Sequence, residues 1–119
     1  MKFRAKIVGI GEMVKELLDE DMLIIFNENA PEDLAEISVI HNKIILKEDV
    51  AVGDLFKIGK FEYKVTYVGS SANSTLRELG HCTFKFDGST IPSLPGIINL
   101  EGNRPDISNI QLGSFISIS

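Results

Sequence analysis

The two histidines of the chain are the side chains best suited to chemistry near neutral pH. His41 ends the run Ile37-Ser38-Val39-Ile40, in which β-branched residues favour a strand. Imidazole is the one side chain that can be a neutral nucleophile or a proton carrier near pH 7. If the protein has a reaction centre, we therefore expect it at His41, at the end of a strand.

The second histidine, His81, follows Arg77-Glu78-Leu79-Gly80 and precedes the apolar stretch 82–86. This order predicts a helical turn that leads into a strand starting near His81. We expect this stretch to meet the His41 stretch in space. Because Gly80 and Cys82 flank His81, a packing role at the start of a strand is the competing interpretation.

Two interpretations of His41 remain open on the residues alone. It can be an ordinary strand-end histidine with a ring nitrogen bonded to a carbonyl group. It can also be a nucleophile, which requires one exposed ring nitrogen while the other donates its proton to a carboxylate or carbonyl. Such an imidazole can take a phosphoryl group directly, without a separate base or an ATP site. A metal site shared by His41, His81 and carboxylates is a weaker alternative, because the two histidines have no diagnostic spacing.

The familiar enzyme motifs are missing from the sequence. No glycine-rich phosphate loop follows a predicted strand, and there is no nucleophile elbow, no His-x-x-x-His and no paired-cysteine spacing. This argues against the usual nucleotide-dependent and zinc enzymes, and we predict neither a cofactor nor a metal. Most carboxylates fall in predicted turns and helix starts, where a solvated role is expected.

Composition limits the class of protein further. A chain of 119 residues is long enough for one core, and we predict a single domain over residues 1–119. The formal net charge of −5 argues against a nucleic-acid or anionic-membrane surface and suits a cationic protein partner. The lone cysteine, Cys82, cannot form an internal disulfide and fits a reducing cytoplasm. No apolar run approaches the roughly 20 residues of a membrane span, so we expect a protein that is not embedded in a membrane.

The pattern of apolar residues predicts many short strands and few short helices. Helical segments are predicted at residues 12–20, in one turn after Pro31, and from a capping Ser74 to Leu79 with a stop at Gly80. Strands are predicted at residues 2–10, 22–26, 37–41, 43–47, 55–58, 61–68, 81–86, 97–100 and 113–118.

These short strands with frequent turn signals favour a mainly all-β fold, a closed or nearly closed antiparallel β-barrel with a few short helices. Closure hides the strand edges. The sequence also contains a faint internal repeat. The order strand, short helix and strand through Phe26 occurs again as strand, short helix and strand through Phe86. In this reading Val8-Gly9 corresponds to Val68-Gly69.

Five stretches together resemble the glucitol/sorbitol-specific enzyme IIA component of the sugar phosphotransferase system. They are Met22-Leu23-Ile24-Ile25-Phe26, Ala30-Pro31-Glu32-Asp33-Leu34, Val39-Ile40-His41, Tyr67-Val68-Gly69, and Arg77-Glu78-Leu79-Gly80-His81 with Phe86-Asp87-Gly88. The resemblance runs from the first strand to about Gly113-Ser114, and Arg-Glu-Leu-Gly-His is its most specific part.

This resemblance implies a cytoplasmic phosphocarrier of β-barrel type. Its phosphoryl donor would be the histidine-containing phosphocarrier protein, and its acceptor a cysteine of the cognate membrane enzyme IIB/IIC components, for glucitol/sorbitol uptake. In the family the phosphorylated histidine follows an apolar pair after the Ala-Pro stretch, which is the position of His41. The resemblance also raises His81, Arg77 and Glu78 to supporting site residues.

The sequence departs from the family pattern just after His41, where a relative has a further histidine and this chain has Asn42-Lys43-Ile44. The departure removes a potential helper and makes His41 the less ambiguous candidate. The competing class is a non-catalytic β-barrel that binds a small ligand or regulates a partner. A metal-assisted hydrolase is a second rival.

Overall fold

Eight strands close into a barrel in a computed structural model that describes residues 1–119. The strand order around the barrel is β1-β3-β2-β6-β7-β5-β4-β8. The strands are β1 (Phe3–Ile10), β2 (Met22–Asn27), β3 (Ser38–His41), β4 (Leu55–Ile58), β5 (Phe61–Val68), β6 (Cys82–Lys85), β7 (Ile97–Glu101) and β8 (Phe115–Ile118). The helices are α1 (Val14–Leu18), α2 (Glu32–Ala35) and α3 (Ala72–Leu79), with one 3₁₀ turn at Ile107–Asn109. The prediction of a mainly β closed barrel with few short helices is confirmed.

Two of the neighbouring strand pairs are parallel, which the prediction of an antiparallel barrel did not include. β2 pairs with β3 in parallel, and so does β6 with β7, while every other pair is antiparallel. Parallel neighbours require a crossover connection. Residues 28–37, which include α2, make the first crossover, and residues 86–96 make the second. The first crossover sets the end of β3 beside the end of β2.

The barrel interior is filled by one side of each strand. Inward residues alternate with outward ones, as β1 shows with buried Phe3, Ala5 and Ile7 between more exposed neighbours. The core combines aromatic and branched aliphatic side chains, including Phe56, Phe84, Leu23, Ile25, Val65, Ile98, Leu100, Ile116 and Ile118. Apolar burial on this scale is the main stabilising contribution to the fold.

Some predicted elements differ in extent, and one is wrong. Residues 43–47 were expected to form a strand, yet they pair with no strand, because the Asn42 side chain takes the Lys6 N–H that a ladder would use. α3 starts at Ala72 rather than after Ser74, and its predicted end at Gly80 is confirmed. α1 is shorter than residues 12–20 and is followed by Asp21 in a left-handed conformation.

No helix of the fold combines the length and the apolar character that crossing a membrane requires.

Candidate functional site

His41 is the last residue of β3 and is completely buried, with 0 % of its surface exposed. Ile7 of β1 lies opposite it on one side, and Asn27 of β2 lies opposite it on the other. The Phe3 ring contacts the imidazole edge-on, with the ring centroids 5.4 Å apart. His41 is therefore a barrel-interior residue, and the exposed ring nitrogen that a nucleophile requires is not provided in this conformation.

Both ring nitrogens of His41 face main-chain carbonyl oxygens. Nδ1 lies 2.7 Å from the oxygen of Asn42 and Nε2 lies 2.8 Å from the oxygen of Gly80. A neutral imidazole has a single N–H, so only a doubly protonated ring can donate to both oxygens. A neutral ring that keeps the bond to Asn42 turns a lone pair on Nε2 toward the Gly80 carbonyl. In that tautomer the contact between Nε2 and the Gly80 oxygen is not a hydrogen bond.

Gly80 fits closely over the imidazole because it lacks a side chain. It caps the C-terminus of α3 in the left-handed conformation, with φ of 61°. A Cβ atom at this position would lie 2.6 Å from Cε1 of His41 and 2.8 Å from Nε2. Only glycine satisfies both the backbone conformation and the close approach.

Two cavities lie beside the stretch 77–81, which contains Gly80. One has a volume of about 340 Å³ and is lined by Asn27, Lys43, Ile44, Ile45, Arg77, Glu78 and Gly80. The other has a volume of about 540 Å³ and is lined by Phe26, Asn27, Asn29, Pro31, Leu34, Lys43, Glu78, Leu79 and His81. Gly80 lines the smaller cavity, its neighbours Leu79 and His81 line the larger one, and buried His41 lines neither.

His81 follows Gly80, whose carbonyl oxygen contacts His41, so the expectation that the two histidine stretches meet is confirmed. Its Nδ1 is 3.2 Å from the carbonyl oxygen of Ile25, and its ring packs on Phe26 with centroids 4.8 Å apart. The ring is partly exposed and lines the larger cavity. His81 thus combines a packing role with access to the space above Gly80.

Arg77 and Glu78 lie at the end of α3 beside the cavities. Arg77 donates from Nη2 to Oδ1 of Asp49 at 2.6 Å, and both side chains are largely exposed. An exposed pair of this kind contributes little to stability, and it holds the guanidinium toward Asp49. Glu78 is exposed and lines both cavities.

Sequence reasoning did not single out Asn27 and Lys43, which line both cavities. The Asn27 Oδ1 atom accepts the N–H of Asn29 at 2.9 Å, which leaves its amide nitrogen as a donor for the cavity side. The Lys43 ammonium takes part in none of the ion pairs of the fold. The sequence places Lys43 two residues after His41. Asn27, in contrast, comes close to His41 only because β2 pairs in parallel with β3.

Cys82, the only other nucleophile of note, lies in the barrel core. Its side chain is buried, and burial raises the pKa of its thiol, opposed by backbone hydrogen bonds. The neutral thiol is a poor nucleophile. No three His, Cys, Asp or Glu side chains are arranged so that they could hold a metal ion.

Comparison with known proteins gives a consistent result. The family model for the PTS system glucitol/sorbitol-specific IIA component matches residues 2–117. The PTS system glucitol/sorbitol-specific EIIA components of Shigella flexneri and of Escherichia coli (strain K12) are each 41 % identical over 114 residues, which is 96 % of this chain and 91 % of each relative. The crystal structure of a PTS system IIA component from Enterococcus faecalis V583 has a TM-score of 0.80 and 27 % identity, over 97 % of this chain and 98 % of that chain.

The resemblance found in the sequence is thus confirmed along nearly the whole chain, and so is its β-barrel fold. The chain belongs to the glucitol/sorbitol-specific IIA family of the phosphotransferase system and is a phosphocarrier of that system.

Proposed function

We propose that Nε2 of His41 accepts a phosphoryl group from the histidine-containing phosphocarrier protein and passes it to a cysteine of enzyme IIB. The observation that carries this proposal is the 2.7 Å contact between Nδ1 and the carbonyl of Asn42. Asn42 is adjacent in the chain, so this contact can persist while the rest of the site changes. With its proton on Nδ1, the ring has a lone pair on Nε2, on the side of the two cavities.

The chemistry then proceeds by in-line displacement. The Nε2 lone pair forms a bond to phosphorus while the bond between phosphorus and the donor's imidazole nitrogen breaks, and the released electron pair on the donor takes up a proton. In the second step a thiolate of the acceptor attacks phosphorus, and the P–N bond to His41 breaks. Phosphoryl transfer of this kind depends chiefly on positioning and on electrostatic stabilisation.

Access to Nε2 requires that the Gly80 carbonyl leave its position 2.8 Å away. Once it has moved, the Asn27 amide and the Lys43 ammonium, which line both cavities, would supply hydrogen bonds to the incoming phosphoryl oxygens. His81 supports the site from the larger cavity, and Arg77 and Glu78 form its outer rim. This arrangement provides donors for the phosphoryl group without a bound cation.

The physiological role follows from the family. The protein would act in the cytoplasm, between the histidine-containing phosphocarrier protein and the cognate membrane enzyme IIB/IIC components, in the uptake and phosphorylation of glucitol/sorbitol. Its support is the family match over residues 2–117.

Intact-protein mass spectrometry tests the proposal after incubation with phosphoenolpyruvate, enzyme I and the phosphocarrier protein. We expect one added phosphoryl group on the wild-type chain and none on His41→Ala, with a cooperative unfolding transition in both showing that the variant is folded. Transfer from purified phospho-carrier should be unchanged in excess EDTA. Phosphate that survives in His41→Ala or appears on His81 would disprove the assignment, and EDTA inhibition reversed by zinc or manganese would favour a metal site.

A further inference from the structure

Asn42 directly follows β3 and extends the pairing of β3 with β1 by one residue. Its backbone N–H donates to the carbonyl oxygen of Lys6 at 2.9 Å, as in an antiparallel ladder. The return bond is unusual, because the Lys6 N–H donates to Oδ1 of the Asn42 side chain, at 2.8 Å, and not to the Asn42 carbonyl oxygen. The side chain therefore takes the place of its own backbone carbonyl in the ladder.

The carbonyl that is left out of the ladder faces the imidazole of His41. Its oxygen lies 2.7 Å from Nδ1 and accepts no backbone N–H. In an ordinary ladder the same oxygen would accept the Lys6 N–H. By occupying that donor, the Asn42 side chain leaves the Asn42 carbonyl to the imidazole.

The peptide that carries this carbonyl is also held at its other end. The C=O of Asn42 and the N–H of Lys43 belong to one planar trans peptide and point in opposite directions. The Lys43 N–H donates to Oε1 of Glu28, in the loop after β2, at 3.1 Å. A carboxylate that accepts this N–H strengthens the carbonyl as an acceptor, because linked hydrogen bonds polarise one another. Asn42 and Glu28 therefore both favour a proton on Nδ1 of His41.

The carbonyl of Gly80 competes for the same proton. Its oxygen lies 2.8 Å from Nε2 and accepts no backbone N–H. A neutral ring has one N–H and satisfies only one of the two carbonyls. With the proton on Nε2, the ring donates to Gly80 and Nε2 has no lone pair for phosphorus. The balance between the two carbonyls thus decides whether Nε2 of buried His41 is a nucleophile.

We infer that Asn42, together with Glu28, is a positioning residue that holds the proton of neutral His41 on Nδ1 and so leaves the Nε2 lone pair for phosphorus. The inference deepens the proposed function and rests on it for the reaction at Nε2. Neither side chain needs to touch the phosphoryl group in this role, because each acts on His41 through the peptide between residues 42 and 43.

Long-range proton–nitrogen NMR spectra of the full chain test the inference, because they show which ring nitrogen of neutral His41 carries the proton. We expect the proton on Nδ1 in the wild type. Asn42→Leu removes Oδ1 at a similar side-chain size, so the backbone carbonyl of residue 42 should return to the Lys6 N–H. The ratio of the Nδ1–H form to the Nε2–H form should then fall by about 10-fold, the size expected for loss of one hydrogen bond.

Matched variants separate this role from packing. Asn42→Asp keeps an oxygen at the Oδ1 position and should retain the wild-type tautomer, whereas Asn42→Ala should behave as Asn42→Leu does. Glu28→Ala releases the other end of the peptide and should lower the same ratio by about 2-fold. Transfer from phospho-carrier should slow by about 3-fold or more in Asn42→Leu, because the rate follows the fraction of rings in the reactive protonation state.

The inference is overturned if the proton stays on Nδ1 in Asn42→Leu and Asn42→Ala, if Asn42→Asp is as defective as they are, or if wild-type His41 carries its proton on Nε2. Slower transfer with an unchanged tautomer would also contradict it, because packing alone would then explain the loss. The spectra need neither phosphate nor a partner protein. Absence of phosphate on wild-type His41 would therefore contradict the proposed function, while the spectra still decide the role of Asn42.

Discussion

The two halves of the barrel share one construction and differ at the position of the candidate nucleophile. In the first half, β1 pairs antiparallel with β3, and β3 pairs parallel with β2; in the second, β5, β7 and β6 repeat this arrangement. The halves meet where β2 pairs antiparallel with β6. His41 lies opposite Ile7 just before a register shift, and Leu100 lies opposite Val65 just before the equivalent shift. The same backbone position is therefore a buried imidazole in one half and a core leucine in the other.

The left-handed residue that follows the helix also differs between the halves. Gly80, with φ of 61°, follows α3, and Asp21, with φ of 60°, follows α1. The carbonyl of Asp21 accepts the backbone N–H of Phe86, whereas that of Gly80 faces Nε2 of His41. In one half the carbonyl of the left-handed residue thus accepts a backbone N–H, and in the other it covers the candidate nucleophile.

The substitutions His41→Leu and Leu100→His should have the largest effects on phosphoryl transfer and on stability. His41→Leu places a leucine where the second half has one, so we expect a stable fold and complete loss of phosphoryl incorporation. Leu100→His buries an imidazole where the wild-type residue is 0 % exposed. It should destabilise the protein by about 2–5 kcal/mol without creating a new phosphorylation site. Mass spectrometry and thermal unfolding measure both outcomes, and phosphate on the leucine variant would contradict the comparison.

Substitution of the two left-handed residues, Gly80 and Asp21, should affect stability to different extents. Gly80→Ala forces a Cβ to within 2.6 Å of the imidazole, so we expect a stability loss of about 1–3 kcal/mol and slower transfer. Asp21→Gly relieves backbone strain of at most about 1 kcal/mol but removes the ion pair with Arg104. A net change near zero is therefore expected in urea unfolding. Equal stability losses in both variants would show that the Gly80 contact is not special.

His81 should have a smaller effect than His41, because its Nδ1 faces the Ile25 carbonyl and its ring packs on Phe26. We expect His81→Ala to slow phosphoryl transfer by about 10–100-fold, the range for loss of a supporting interaction. Rapid-quench measurement of transfer from phospho-carrier gives the rate. A wild-type rate in this variant would assign His81 to packing alone.

The smallest effect on stability is expected from substitution of Asp87, at the start of the second crossover. Asp87 accepts the N–H of Ser89, and Asn27 accepts that of Asn29 in the same manner. Burial alone would raise the pKa of Asp87, but the hydrogen bonds from Ser89 and Asn99 and the charge of Lys85 lower it overall. A lowered folded-state pKa stabilises the fold above the unfolded value of about 3.9, and that stability is lost as the pH falls through the folded value.

Urea unfolding of the wild type and of Asp87→Asn between pH 5 and pH 2.5, a window set around the ordinary aspartate value of about 3.9, measures this contribution. The variant should lose less stability on acidification than the wild type. An identical pH dependence in the two proteins would show that Asp87 contributes nothing beyond what neutral Asn27 provides in the first half.

The internal repeat shows what can be predicted from a single sequence and what cannot. The repeat between the two halves was visible, but its register was wrong: Val8-Gly9 was matched to Val68-Gly69, whereas Gly11 is the counterpart of Gly69. Gly11 donates its N–H to Ser38 and Gly69 donates to Ile97, each at the start of the third strand of its half. Only the close approach of backbones in the folded chain selects the correct glycine.

The sequence by itself determined the elements whose signals are local. Alternation of apolar residues predicted β1 and β5, the Gly59-Lys60 pair predicted the hairpin of β4 and β5, and Gly80 predicted the end of α3. The position of His41 at the end of a strand could also be predicted. The signals for a strand are apolar residues at every second position and a run of β-branched residues, and both depend only on residues close together in the chain.

Tertiary structure alone decided what depends on residues distant in the chain. The parallel pairing that sets Asn27 beside His41, the burial of the imidazole under Gly80 and the cavities beside it all require contacts between residues that are not neighbours in the chain, such as His41 and Gly80, 39 positions apart. Residues 43–47 show the reason most clearly. Their side chains favour a strand, but a strand exists only where another backbone supplies hydrogen bonds, and in this fold the neighbouring N–H of Lys6 is already held by Asn42.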